Sequence, residues 1–167
     1  LHPLRRLKNL LPTNIKAKLV QSLILPIVDY CDVLYDSFSL TNSTRLQRVF
    51  NNSLRYIFNS NRRQHVTPML KQLSWLRLAD RRSLHSLLLL HKLYTTQHQH
   101  QTAKIKLLNT QRNGPLLQIP RHREGYYART FFVKSIEEWN KLPKEIRTNT
   151  SIKVFKSLIH QHYSQQY

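Results

Sequence analysis

The residues most able to do chemistry in this sequence are arginines. Arg45, Arg48 and Arg55 recur at helical spacing, Arg62 and Arg63 follow shortly after, and no acid interrupts them. Guanidinium groups along one side of a helix can track a phosphate backbone. Each phosphate neutralised adds about −0.9 to the slope of log K against log salt. A solvated face is the commoner fate of a single basic helix, but the lack of interspersed acids favours binding here. Arg81, Arg82, His85 and Lys92 share one sector of a later segment and form a second group of candidate phosphate contacts.

Other constellations carry less. Asp29, Asp32 and Asp36 fall at helical spacing, and Tyr30-Cys31-Asp32 bears a faint likeness to a polymerase motif. A polymerase centre gathers carboxylates on strand ends around two ions about 4 Å apart. Three aspartates on one helix without an adjacent pair do not give that arrangement, so ion pairing with nearby arginines is the preferred reading. His98 with His100, and His160 with His162, are short pairs, whereas zinc takes about four ligands, usually with cysteine. They read as polar filler. The single cysteine, Cys31, excludes an internal disulfide and a cysteine-rich zinc site, and its apolar surroundings predict an inert thiol. No serine–histidine–aspartate or cysteine–histidine order is workable. Neither catalytic nor metal-ligating residues are therefore expected.

Periodicity predicts the elements that position these groups. Leu23 to Val28 is the longest unbroken apolar run and is expected at the centre of a core. Ile15, Leu19 and Leu23 recur every fourth residue in a helix over about 14–25. Pro26 kinks it, and a continuation to about 36 has Ile27, Cys31 and Leu34 opposite the aspartates. Before it, Leu4, Leu7 and Leu11 share a helical face alongside Arg5, Arg6 and Lys8. A helix over about 42–58 turns Leu46, Phe50, Leu54 and Ile57 inward and Arg45, Arg48, Asn52 and Arg55 outward. Thr67-Pro68, a capping hydroxyl before proline, starts a short helix to Leu73, with Trp75 as a core anchor. A further helix spans Leu78 to Thr96, its Leu87–Leu90 block deeply packed.

The polar tract 95–103 reads as a linker. A turn is expected at Gly114-Pro115, and Leu116–Ile119 with Tyr126–Phe131 as a small hairpin. Phe132, Ile136 and Trp139 mark a helix stopped by Leu142-Pro143. Ser151 caps the last helix, whose Ile152, Phe155, Ile159 and Tyr163 face inward while Lys153 and Lys156 face elsewhere. The expected fold is mainly α: a helical bundle over 1–96, a polar linker over 97–114, and a small α+β region with a short β-hairpin over 115–167.

Composition sets the partner class. The 167 residues carry 27 Lys and Arg against 8 Asp and Glu, a net +19. The excess is spread as +7 over 1–66, +4 over 67–103 and +8 over 104–167. A basic excess throughout folded segments points to a polyanion, and nucleic acid is the usual one. No run approaches the roughly 20 apolar residues of a membrane span, so no membrane is expected as a partner. Forty per cent hydrophobic residues argue against disorder. Only Gly114 and Gly125 are glycines, which excludes glycine-rich phosphate loops. Opening on Leu1, the sequence reads as a piece of something longer.

Several short motifs in fixed order then add up. Leu25-Pro26 leads through Asp29-Tyr30-Cys31 to Leu46-Gln47 and Asn51. Leu73, Trp75-Leu76 and Arg81-Arg82 follow. Trp139-Asn140, Leu142-Pro143, Ile146-Arg147 and Phe155-Lys156 complete the series. In this order the chain resembles the region downstream of the catalytic palm in non-LTR (LINE, jockey-like) retrotransposon reverse transcriptases. The resemblance implies that residues 1–66 correspond to the thumb, which grips the template–primer RNA–DNA duplex. It implies that the Trp-Asn and Leu-Pro motifs belong to a C-terminal extension. The parent would be an RNA-directed DNA polymerase working on chromosomal targets in the nucleus, with magnesium and deoxynucleotides. The palm with its paired aspartates, the fingers and the endonuclease have no counterpart in these residues. This piece is thus expected to bind rather than polymerise, without a cofactor of its own, beside the palm and fingers it lacks. Tyr35 stands where a Trp is common, and Arg77 replaces the usual capping Ser. Two other readings are a domesticated protein–protein adaptor working through apolar surface left by the palm, and a metal-dependent nuclease using the aspartates.

Overall fold

The computed structural model describes residues 4, 6, 8–37, 40–95, 105–110, 114–121, 125 and 127–165, with backbone alone for 35–37, 109 and 110. Among the described residues the fold is mainly helical with one two-stranded antiparallel hairpin. Two compact units, 1–78 and 79–166, divide the chain, and each is built around its own buried residues.

In the first unit, α1 (Thr13–Leu23) and α2 (Leu25–Asp29) precede a 3₁₀ turn (Asp32–Ser37), then α3 (Leu40–Ile57) and α4 (Thr67–Leu73). α1 packs on α2 and on α3. The core holds Val20, Leu25, Val28, Phe50, Leu54, Tyr56, Ile57, Met69, Leu70 and Leu78, with Leu46, Leu73 and Trp75 packed against it. The inward face expected of α3 is the one buried.

The stretch over 15–34 is organised differently from expectation. Leu25 and Val28 are buried, but Leu23 is 51%, Ile27 71% and Leu34 63% exposed. Six consecutive apolar residues cover every side of a helix, and only one side meets the core. The helix also stops at Leu23 and restarts at Leu25 with Pro26 in its first turn, which resets the phase. Lys16 and Val20, not Ile15 and Leu19, form the buried stripe of α1. Cys31 has φ 52° and ends α2, so the helix does not continue to 36, and the thiol is exposed.

With so few glycines, polar residues turn the helix ends. Asn59 (φ 53°) and Ser74 (φ 54°) adopt the left-handed conformation. After α3, Ser60 N–H donates to Arg55 O (3.0 Å) and Asn59 N–H to Tyr56 O (3.4 Å). After α4, Trp75 N–H donates to Leu70 O (3.0 Å) and Ser74 N–H to Lys71 O (3.1 Å). Both pairs are the six-to-one and five-to-two bonds of a Schellman ending, which folds the following residue back onto the last turn. Trp75 reaches the core this way. Thr67 lies inside its helix rather than capping it, since Val66 is the cap residue.

The second unit contains α5 (Leu78–Thr95), β1 (Leu107–Thr110), β2 (Gly114–Leu117), a 3₁₀ turn (Tyr127–Arg129), α6 (Phe131–Lys141), α7 (Lys144–Arg147) and α8 (Ile152–Ser164). Leu87 and Leu90 are buried, whereas Leu88 is half-buried and Leu89 exposed, as a single inward face requires. Trp139, Ile136, Val133, Phe155, Ile159 and Leu117 are fully buried. Ile152, expected inward, is exposed.

The hairpin pairs β2 with β1, Leu107 opposite Leu117 and Thr110 opposite Gly114. The expected partner, 126–131, instead forms the 3₁₀ turn and the start of α6, while Tyr126 lies outside the described residues. Its aromatic residues repeat at helical spacing with Ile136 and Trp139, and that period prevails. β1 lies within the stretch expected as linker, whose residues 97–104 are outside the described ones. Gly114 supplies the positive φ (69°) at the turn.

Gln118 N–H donates to Lys106 O at 2.7 Å, so the 106–118 pair is hydrogen-bonded and the neighbouring 107–117 pair is not. By the same alternation, the polar backbone groups of Pro115 and Leu117 face away from β1, along the free edge of β2. Side chains of α6 and α7 occupy that edge. Asn140 Oδ1 accepts from Leu117 N–H (3.0 Å), and Asn140 Nδ2 donates to Leu117 O (2.8 Å). Trp139 Nε1 (3.1 Å) and Arg147 Nη1 (3.2 Å) both donate to Pro115 O. Proline suits an edge position that needs no donor. The Trp139-Asn140 and Ile146-Arg147 motifs therefore do structural work: they cover a strand edge that would otherwise invite pairing with another chain.

Candidate nucleic-acid interface

α3 places its cations by periodicity. Arg45, Arg48, Asn52 and Arg55 fall within one sector, opposite Phe50, Leu54 and Ile57, which anchor the helix in the core. Arg45 and Arg48 are exposed, and Arg55 is half-buried in the last turn. There a cation also complements the negative helix end.

The Schellman turn at Asn59 brings the following chain back beside Arg55. Lys8, Asn52, Arg55, Tyr56, Ser60 and Arg62 line a cleft of about 210 Å³. Three of these side chains are cationic and none is acidic. Arg55 Nη2 donates to Gln64 O at 3.3 Å. Arg55 Nε and the Tyr56 hydroxyl are buried without a hydrogen-bond partner among the described residues. Among the described residues, Ser60 Oγ has only the weak acceptor Met69 Sδ at 3.8 Å. Unfilled donors beside clustered cations suit an anionic oxygen. Lys16, buried under this end of the helix, donates to Asn59 Oδ1 (2.8 Å) and lies 5.8 Å from the centre of the Tyr56 ring, holding both turn and ring in place.

Of the five arginines, Arg45, Arg48, Arg62 and Arg63 are exposed and Arg55 is half-buried, and Arg55 and Arg62 line the same cleft. Lys8 was legible only as part of a basic N-terminal segment, because nothing local in the sequence brings it to Arg55. Arg5 and Leu7 of that segment lie outside the described residues. In the second unit, Arg81 and Arg82 are half-buried and Lys92 is exposed, all on α5. Half-burial makes Arg81 and Arg82 less open to phosphate than the α3 pair.

Asp29 and Asp32 carry carboxylate oxygens within 4.8 Å of each other, although they do not share a helix. Asp29 ends α2 and is half-buried, Asp32 opens the 3₁₀ turn and is buried, and the Asp36 side chain lies outside the described residues. The break at Cys31 removes the single helical stripe they would have shared. His160 and His162 are two residues apart on α8, which turns them to different sides; His162 lies 5.7 Å from the Tyr163 ring. His98 and His100 are outside the described residues.

Among the described residues of the second unit, three groups have shifted titration. Burial, with the nearby Glu138 carboxylate, pushes the Tyr163 phenol up to about 12. A hydrogen bond to Glu138 (2.9 Å) raises Lys141, and burial lowers Arg147. None of the three lies on the α3 face.

No protein-family model, curated protein or solved structure matches the chain.

Proposed function

We propose that this chain is the thumb and downstream part of a non-LTR retrotransposon reverse transcriptase, and that it holds the template–primer RNA–DNA duplex by its phosphates. The observation that carries the reading is the two-sidedness of α3. Phe50, Leu54 and Ile57 fix one face in the core, and Arg45 and Arg48 stand in solvent on the other, in line with the Lys8–Arg55–Arg62 cleft. The order of short motifs supports the parentage, and the +19 charge supports the partner. Arg63 extends this contact, and Arg81, Arg82 and Lys92 form a secondary one. In this reading the chain positions nucleic acid and performs no reaction of its own. Polymerisation and its magnesium belong to the palm of the parent.

A matched pair of charge reversals tests the assignment. Arg45→Glu with Arg48→Glu should weaken RNA–DNA hybrid binding far more than Lys153→Glu with Lys156→Glu. The second pair makes the same net change at exposed positions of α8. Equal losses from both pairs would reduce the interaction to general basicity.

The exposed apolar side chains Leu23, Ile27 and Leu34 favour a second reading, an adaptor that meets a protein partner here. The palm and fingers of the parent would be one such partner. Ile27→Glu should then abolish protein capture while hybrid affinity stays unchanged.

A further inference from the structure

The second unit holds a cavity that the proposed duplex grip does not use. About 490 Å³ in volume, it lies between the open end of the hairpin and the start of α6, within the roughly 300–1,000 Å³ typical of ligand pockets. Ile119, Pro120, Tyr127 and Phe132 give it apolar and aromatic walls, and Lys106 and Arg121 are its cations. No carboxylate lines it among the described residues.

Local structure fixes these groups. The Gln118–Lys106 bond extends the hairpin ladder beyond Leu107–Leu117, so Lys106 stands at the strand end. Tyr127 O accepts from Thr130 N–H (3.1 Å) and from Thr130 Oγ1 (2.8 Å), which closes the 3₁₀ turn directly before α6. Phe132 is braced edge-on by Phe131, the ring centres 5.2 Å apart. Tyr127 nevertheless stays 47% exposed. A phenol ring at the mouth of an apolar cavity, flanked by exposed cations, offers a stacking face and anion contacts together.

We propose that this cavity binds a single-stranded nucleic-acid segment, one base stacking on Tyr127 against the Phe132 side and the adjoining phosphates meeting Lys106 and Arg121. Aromatic platforms between cations recognise any base in this way, because every base has a π-face. Charge complementarity favours this occupant over a protein: residues 79–166 carry fifteen Lys and Arg against five Asp and Glu.

The test separates stacking from charge by using the full chain with a fluorescein-labelled ten-nucleotide oligothymidylate and an abasic strand of equal length. The expected result is tighter binding of oligothymidylate than of the abasic strand. Tyr127→Ala should lower oligothymidylate affinity by about 5- to 150-fold, the range of one stacked base. Tyr127→Phe should restore it, and hybrid-duplex affinity should not change. Since Tyr127 is half exposed, an unchanged thermal melt of the variants accompanies the measurement. Equal affinity for the abasic strand, or an inert Tyr127→Ala, overturns the proposal. Tighter binding of an acidic tyrosine-containing peptide, lost in Tyr127→Ala while oligothymidylate binding persists, also overturns it and assigns the cavity to a protein. Duplex binding through α3 can fail or hold independently of every one of these outcomes.

Discussion

Asn140→Leu should be among the most damaging single changes to the second unit, although the two side chains are similar in size. The carboxamide of Asn140 satisfies both backbone groups of Leu117, at 3.0 and 2.8 Å. Leu117 is fully buried, and β1 cannot take over either bond because the 107–117 pair is not hydrogen-bonded. A buried donor or acceptor left without a partner costs about 1–3 kcal/mol. Two at once, at a strand edge that water can partly reach, cost about 2–4 kcal/mol by the same rule. That is a large share of the roughly 5–15 kcal/mol by which domains are stable. Urea denaturation followed by tryptophan fluorescence reads the loss as a lowered midpoint at constant m. Asn140→Asp keeps the acceptor but points a carboxylate at the Leu117 carbonyl, so it should be at least as damaging at neutral pH. An unfolding free energy for Asn140→Leu within about 0.5 kcal/mol of wild type, the range of an ordinary surface change, would refute the edge-covering role.

Gly114→Ala places a side chain at φ 69° with its Cβ 3.1 Å from Lys144 Cγ, and should cost about 1–3 kcal/mol, measured by the same denaturation. Tyr163 makes stability fall with alkali: the unfolded phenol ionises near 10, whereas the folded one keeps its proton to about 12. Between those values the unfolded state releases the proton first, so stability present below pH 10 is lost as pH rises. Melting temperatures across this window should drop more steeply for wild type than for Tyr163→Phe; parallel curves would count against it.

What the sequence made legible depended on how local the cause was. α3 and α6 each bury one stripe, and their periodicity alone located them. The run from Leu23 to Val28 misled because continuous hydrophobicity carries no phase. Pro26 and Cys31 set the phase by breaking the helix, leaving Leu23, Ile27 and Leu34 outside. The hairpin was foreseen with the wrong partner. What holds β2 is not its own pattern but Trp139, Asn140 and Arg147, more than twenty residues away in sequence. Arg45 and Arg48 were legible as an outward face. The cleft was not, because Lys8 reaches Arg55 only through tertiary packing and Arg62 only through the left-handed turn at Asn59.

The salt dependence of RNA–DNA hybrid binding tests the central claim most directly. Five phosphate contacts give a slope of log K against log salt of about −4.5, so affinity should fall about 500-fold between 50 and 200 mM salt. Arg45→Gln with Arg48→Gln removes two contacts, and the slope should flatten to about −2.7, or about 40-fold over the same interval. A double variant whose slope matches that of the wild-type chain would contradict the account.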